Sequence, residues 1–164
     1  MTDMKQGLVL AGTGHRPNRL GGYNRTTRGK LKVLANKVVE TLLPRYGYCG
    51  GALGWDTAWG IALMEAKVPY CMALPCPSMG SKWYETDKNT LAFLVTNAHR
   101  VHYLSDHYFK GAFILRDRYM VDNAEGLVSL LDPSAIGSGT YQTCQYAETL
   151  NLPIIQLWHE FIAQ

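Results

Sequence analysis

Apolar residues recur along the chain in short unbroken runs, at Leu8-Val-Leu-Ala11, Tyr46–Cys49, Tyr70-Cys-Met-Ala-Leu74, Arg100–Leu104, Leu127-Val-Ser-Leu-Leu131 and Pro153–Leu157. Continuous rather than alternating hydrophobicity predicts strands covered on both faces. Between these runs the apolar spacing changes to that of helices, over 27–43, 56–66, 82–98, 113–123 and 140–150. The first shows the change best, with Leu31, Leu34, Val38, Val39 and Leu42 on one side and Lys30, Lys32, Lys37 and Glu40 mostly on the other. Strands alternating with helices predict βαβ units, parallel pairing and right-handed crossovers. The expected fold is therefore α/β, a Rossmann-like three-layer α/β/α arrangement with a mainly parallel sheet.

Punctuation agrees with this pattern. Asp56-Thr57 and Thr140 are expected helix caps, and Pro44, Pro69 and Pro153 stand where a helix has ended and a strand is about to start. With 164 residues, 47% hydrophobic content and no repeat or low-complexity linker, the expectation is one domain over 1–164. The start carries no secretory pattern and no apolar run reaches the roughly 18 residues of a membrane span, so a cytoplasmic protein is expected. A formal charge of +3 is small for a nucleic-acid footprint, although Arg16, Arg19, Arg25, Arg28, Lys30 and Lys32 gather in one stretch that suits a phosphate. Four scattered cysteines and unclustered histidines suggest neither disulfides nor a metal site, and no cofactor is expected.

Three glycine-rich segments follow predicted strands: Gly12-Thr-Gly-His-Arg-Pro17, Gly50-Gly-Ala-Leu-Gly-Trp-Asp56 and Gly137-Ser-Gly-Thr-Tyr-Gln-Thr143. Glycine lets the backbone approach an anion, and the free amides and positive dipole end of a following helix favour negative charge. The candidate ligand-binding set is Gly12, Thr13, Gly14, His15, Arg16, Pro17, Gly50, Gly51, Ala52, Gly54, Asp56, Gly137, Ser138, Gly139, Thr140 and Thr143. Each glycine alone also makes an ordinary tight turn. Asp56 suits either a ribose hydroxyl or a helix cap. Arg116 and Asp122 at helical spacing read as site residues or as a surface pair.

Taken together, these blocks resemble the YpsA-like branch of the SLOG superfamily, the Rossmann-like group that also contains the LOG phosphoribohydrolases and the Smf/DprA proteins. The similar stretches include Leu20-Gly-Gly-Tyr23, Arg116-Asp-Arg-Tyr-Met-Val-Asp122 and Tyr146-Ala147 besides the three turns. The resemblance implies a nucleotide-like ligand above the sheet, no required metal, and helix-mediated pairing into a homo-oligomer. It adds Trp83, Arg116 and Met120 to the ligand set and makes Arg116 and Asp122 the catalytic candidates. LOG hydrolases carry a glutamate where this chain has Thr143, and a hydroxyl is a poor substitute for a carboxylate that stabilises an oxocarbenium-like state.

The leading expectation is a sensor or sequestering protein for an adenine nucleotide or ADP-ribose-like molecule, bound at the C-terminal edge of the sheet. The alternatives are a phosphoribohydrolase or N-glycosidase, with Arg116 orienting phosphate and Asp56, Asp122 or Glu125 as the carboxylate, and DprA-like single-stranded DNA binding. The low net charge weighs against nucleic acid as a partner.

Overall fold

The computed structural model describes residues 3–164. Six strands, β1 (Val9–Gly14), β2 (Tyr46–Cys49), β3 (Tyr70–Leu74), β4 (Arg100–Tyr103), β5 (Gly126–Leu130) and β6 (Ile154–Gln156), form one sheet. Their order is β4-β3-β2-β1-β5-β6 and every pairing is parallel. The helices are α1 (Arg25–Leu42), α2 (Trp55–Glu65), α3 (Glu85–Asn97), α4 (Ala112–Asp122), α5 (Gly139–Thr149) and α6 (Trp158–Ile162). Packing α6 and α2 on α1, and α3 on α2, makes one layer, while α4 pairs with α5 on the other side of the sheet. The fold is Rossmann-like α/β, and its strand order reverses between β1 and β5.

The strands are two-faced, as parallel strands between helical layers must be. Leu10, Met72 and Val128 join the larger core with α1, α2 and α3, whereas Ala11, Ala73 and Leu127 join the smaller core under α4 and α5. Successive residues thus serve opposite layers with the period of two of an extended chain.

In β1 this alternation gives its glycines a packing role. Gly12 and Gly14 lie on the same face as Leu10 and are strand residues, not part of a turn. A Cβ on Gly12 would stand 2.5 Å from Trp59 Cδ1, and one on Gly14 would stand 2.5 Å from the Cβ of Trp55. Trp55 and Trp59, one turn apart on α2, stack with centroids 6.2 Å apart and are fully buried. Glycine is needed here because two indoles lie directly on the strand.

Two expected caps are corrected. The residue before α2 is Gly54 at φ 91°, and Asp56 lies inside the first turn, its Oδ2 accepting from the Ala52 amide at 3.3 Å. The cap of α5 is Ser138, whose hydroxyl accepts from the Tyr141 amide at 3.2 Å, with Thr140 already in the helix. The short α6 and a single 3₁₀ turn at Pro17–Arg19 were not anticipated from the sequence. No helix is long and apolar enough to cross a membrane among the described residues.

Candidate functional site

The chain leaves β1 and β5 side by side, and the crevice beyond their carboxyl ends is where an open parallel sheet receives ligands. Its two walls are tied together by His15. The His15 amide donates to the Leu130 carbonyl at 3.3 Å, and its Nε2 accepts from the Asp132 amide at 2.9 Å. Accepting at Nε2 requires the ring to be neutral with its proton on Nδ1. Burial pushes the His15 pKa down, helped by the charge of Arg19, while Asp132 acts weakly the other way.

A cavity of about 260 Å³ opens in this crevice. Thr13, Gly14, His15 and Arg16 reach it from the end of β1, Ala52 and Asp56 from the β2–α2 connection, Arg116 from α4, and Gly139 and Thr140 from the start of α5. The sequence gathered these nine residues from four separate segments, and the fold brings them to one place. The Gly139 and Thr140 amides make no hydrogen bond within the described residues, because the Ser138 hydroxyl and carbonyl serve Tyr141 and Gln142 instead. Two free amides at a helix start, on residues that line a cavity, are groups that can donate to an anion.

Arg116 is 4% exposed. Its Nε donates to Asp117 Oδ1 at 2.6 Å, and its Nη1 donates to the carbonyls of Gly50 and, at 3.5 Å, Ala73. These bonds staple α4 to the ends of β2 and β3, and Nη2 takes no part in them. The ring of Phe113, one turn earlier on α4, lies under two cations, 5.2 Å from Arg16 Cζ and 5.4 Å from Arg116 Cζ. Asp56 is buried and makes no ion pair within 4 Å among the described residues. Desolvation drives its pKa up to about 6 in spite of Arg116, whose charge pulls it back.

The remaining candidates lie elsewhere. Gly12 backs onto Trp59, as described above. Gly50 faces the Arg116 guanidinium rather than the cavity. Pro17, Gly51, Gly54 and Trp83 line a different cavity, between α1, α2 and α3. Met120 is 1% exposed in the core under α4 and α5. Gly137 makes a turn at φ 83° with nothing near its missing side chain, and Ser138 is spent as the cap. The Thr143 hydroxyl lies 2.8 Å from the Gly139 carbonyl and 3.2 Å from Asp117 Oδ2, and its single proton serves one or the other.

Asp122 is not brought to Arg116: it is exposed and accepts from the Tyr146 hydroxyl at 2.6 Å. Glu125 is farther still, bonded to the Val9 amide and to Arg45 at the opposite end of the sheet. The carboxylate in the cavity beside Arg116 is Asp117, which the sequence reading passed over, together with Asn18 and Phe113, while Arg19 comes from the basic stretch read as suited to a phosphate. The i,i+3 spacing of Phe113 and Arg116 was the available signal for one of them. Among the described residues no group of three His, Cys, Asp or Glu side chains could hold a metal ion.

Residues 10–157 match the family model YpsA, described as the YspA SLOG family. Among solved structures the chain is similar to DNA processing protein A (DprA) from Streptococcus pneumoniae, with TM-score 0.65 and 16% identity over 93% of this chain and 50% of that one. It is also similar to DprA from Helicobacter pylori, whose structure describes a single-stranded DNA binding mode, with TM-score 0.62 and 17% identity over 92% of this chain and 65% of that one. A third similar structure, the protein TM1055, has TM-score 0.59 and 16% identity over 92% of this chain and 72% of that one. The chain therefore spans about half to two thirds of the DprA proteins, and at these identities the likeness is one of fold. No curated protein matches it.

Proposed function

The chain belongs to the SLOG family whose model it matches, and from that premise we propose that it binds a nucleotide or nucleotide-derived anion in the crevice between β1 and β5. The observation that carries this reading is the pair of unbonded amides of Gly139 and Thr140 in a cavity that also holds Arg16, Arg19 and Arg116. Three guanidinium groups exceed the two carboxylates, Asp56 and Asp117, so the cavity favours an anion. A phosphate on the amides gains charge-assisted bonds at the positive end of α5, and Arg16, exposed and without an ion pair among the described residues, can close on its second edge. The ligand we favour is an adenine nucleotide or ADP-ribose-like molecule, held by a sensor or sequestering protein.

Calorimetry with AMP, ADP, ADP-ribose and inorganic phosphate tests the reading. Binding of at least one nucleotide, weakened roughly tenfold or more by Arg16→Ala, is the expected result. No heat from any of them at millimolar concentration overturns it.

Hydrolysis of an N-glycosidic bond is a second reading, favoured by the two carboxylates in the cavity. Buried Asp56 retains a proton up to about pH 6, whereas Asp117 is paired with Arg116 at 2.6 Å. Carboxyl groups held in unlike environments are the ordinary basis of an acid and a base partner. Chromatographic release of adenine from AMP, abolished by Asp117→Asn, supports turnover; an unchanged nucleotide after prolonged incubation removes it. A single-stranded DNA ligand, as described for the H. pylori DprA structure, is distinguished by oligonucleotide anisotropy with a steep salt dependence.

A further inference from the structure

The helices α1, α2 and α3 enclose a second cavity of about 300 Å³, at the low end of the range for small-molecule sites. A seam separates it from the anion crevice. Trp55 N donates to the His15 carbonyl at 3.3 Å, and a Cβ on Gly54 would stand 2.6 Å from that same oxygen. His15, Arg16 and Ala52 face the crevice, whereas Pro17, Gly51 and Gly54 face the second cavity.

The lining of the second cavity is of two kinds. Leu31, Ile61, Leu91 and Leu94 are buried or half-buried and supply an apolar interior, with Trp83 beside them. Gly80, at φ 77°, seats the Trp83 ring against its backbone, since a Cβ there would stand 2.8 Å from the indole. The exposed lining residues are Tyr23, Arg28, Lys32 and Thr86. Arg28 and Lys32 are one turn apart on α1, and neither forms an ion pair among the described residues. The single carboxylate of the lining, Asp87, accepts from the Tyr23 hydroxyl at Oδ1 while its buried Oδ2 has no partner among the described residues, and the Tyr23 ring carries Arg28 5.4 Å from its centroid.

We propose that this cavity is a second binding site, distinct from the nucleotide crevice, for a small aromatic carboxylate whose ring enters between α1, α2 and α3 and whose charge meets Arg28 and Lys32. The apolar interior and the Trp83 and Tyr23 rings suit a planar body. Two cations without an ion pair among the described residues outweigh the one carboxylate, and that balance selects an anion over an amine of the same shape. The proposal stands on this cavity alone and does not require the crevice to bind a nucleotide.

Indole-3-propionate and tryptamine share a ring and differ in the sign of their charge. Titrating each into the full chain at low ionic strength, with the Trp83 indole N–H resonance as readout, compares them directly. The expected result is that indole-3-propionate shifts this resonance with a Kd about fivefold or more below that of tryptamine. Arg28→Gln with Lys32→Gln, both at exposed positions, should remove that preference while the ring still binds. Ala58→Phe, which places a ring inside the cavity, should abolish both titrations without disturbing phosphate binding in the crevice. Equal or stronger binding of tryptamine overturns the proposal, as does a preference that survives the double substitution. A Trp83 resonance that responds to protein concentration and to neither probe also overturns it, and assigns the cavity to a second copy of the chain.

Discussion

Gly50 and Arg116 occupy a space that admits only one side chain. A Cβ at position 50 would lie 2.6 Å from Arg116 Nη1 and 2.9 Å from Asp56 Oδ2, while the Gly50 carbonyl accepts from the same guanidinium. The glycine at the end of β2 is thus the counterpart of a buried arginine on α4, 66 residues away. Gly50→Ala should displace the guanidinium and cost about 1–3 kcal/mol of stability, as overpacking does. Urea unfolding checks the cost. A variant as stable as the parent would show that Arg116 has room to move.

The larger elements were legible because their cause is local. Continuous apolar runs marked all six strands to within a few residues, and the helical spacing of Leu31, Leu34, Val38, Val39 and Leu42 predicted the buried face of α1. The site was legible in part, because glycine has more than one use. Gly12 and Gly14 read as a turn, but they serve Trp55 and Trp59, which lie more than forty positions later and reach β1 only through the packing of α2. Gly51 and Gly54 do adopt positive φ, yet they belong to the wall of the second cavity. Asp117 escaped notice because its neighbour Arg116 took the attention, and its contact with Thr143 forms only when α4 packs on α5.

The indole contacts on β1 make the glycine assignments testable against each other. Gly12→Ala and Gly14→Ala insert a methyl into fully buried rings and should each destabilise by about 1–3 kcal/mol. Gly137→Ala meets no atom within 4 Å and bears only the strain of φ 83°, about 1 kcal/mol. The ranking from thermal melts decides: a Gly137 variant worse than either β1 variant contradicts the packing account.

Two buried groups tilt the pH dependence of stability in opposite directions. The pKa of Asp56 is raised from 3.8 to about 6, so between these values the folded chain holds a proton that the unfolded chain has lost. Its contribution is complete below pH 3.8 and is lost as pH rises to about 6. His15 is lowered from 6.5, so the unfolded chain binds its proton first as pH falls. Its contribution is complete above pH 6.5 and shrinks as pH falls through the folded value. Denaturant unfolding of Asp56→Asn against the parent should therefore show the variant gaining relative stability from pH 4 to pH 6. For His15→Gln, the parent's relative advantage should shrink as pH drops below 6.5. A difference independent of pH in either comparison removes the corresponding group from the account.

Phe113 couples two of the arginines that line the cavity. Its ring lies 5.2 Å from Arg16 Cζ and 5.4 Å from Arg116 Cζ, so one aromatic face system orients a cation from the β1 end and a cation from α4. Arg116 is also fixed by Asp117 and the Gly50 carbonyl, whereas Arg16 is exposed and makes no ion pair among the described residues. Removing the ring should therefore release Arg16 and leave Arg116 in place. Phe113→Leu keeps apolar bulk and should weaken ADP or phosphate binding about threefold to fivefold, the scale of an exposed cation–π contact, with stability changed by less than about 1 kcal/mol. Phe113→Tyr retains the ring and should bind as the parent does. Calorimetry on the three proteins separates positioning from bulk, because a leucine variant that binds normally leaves the ring no role in the cavity.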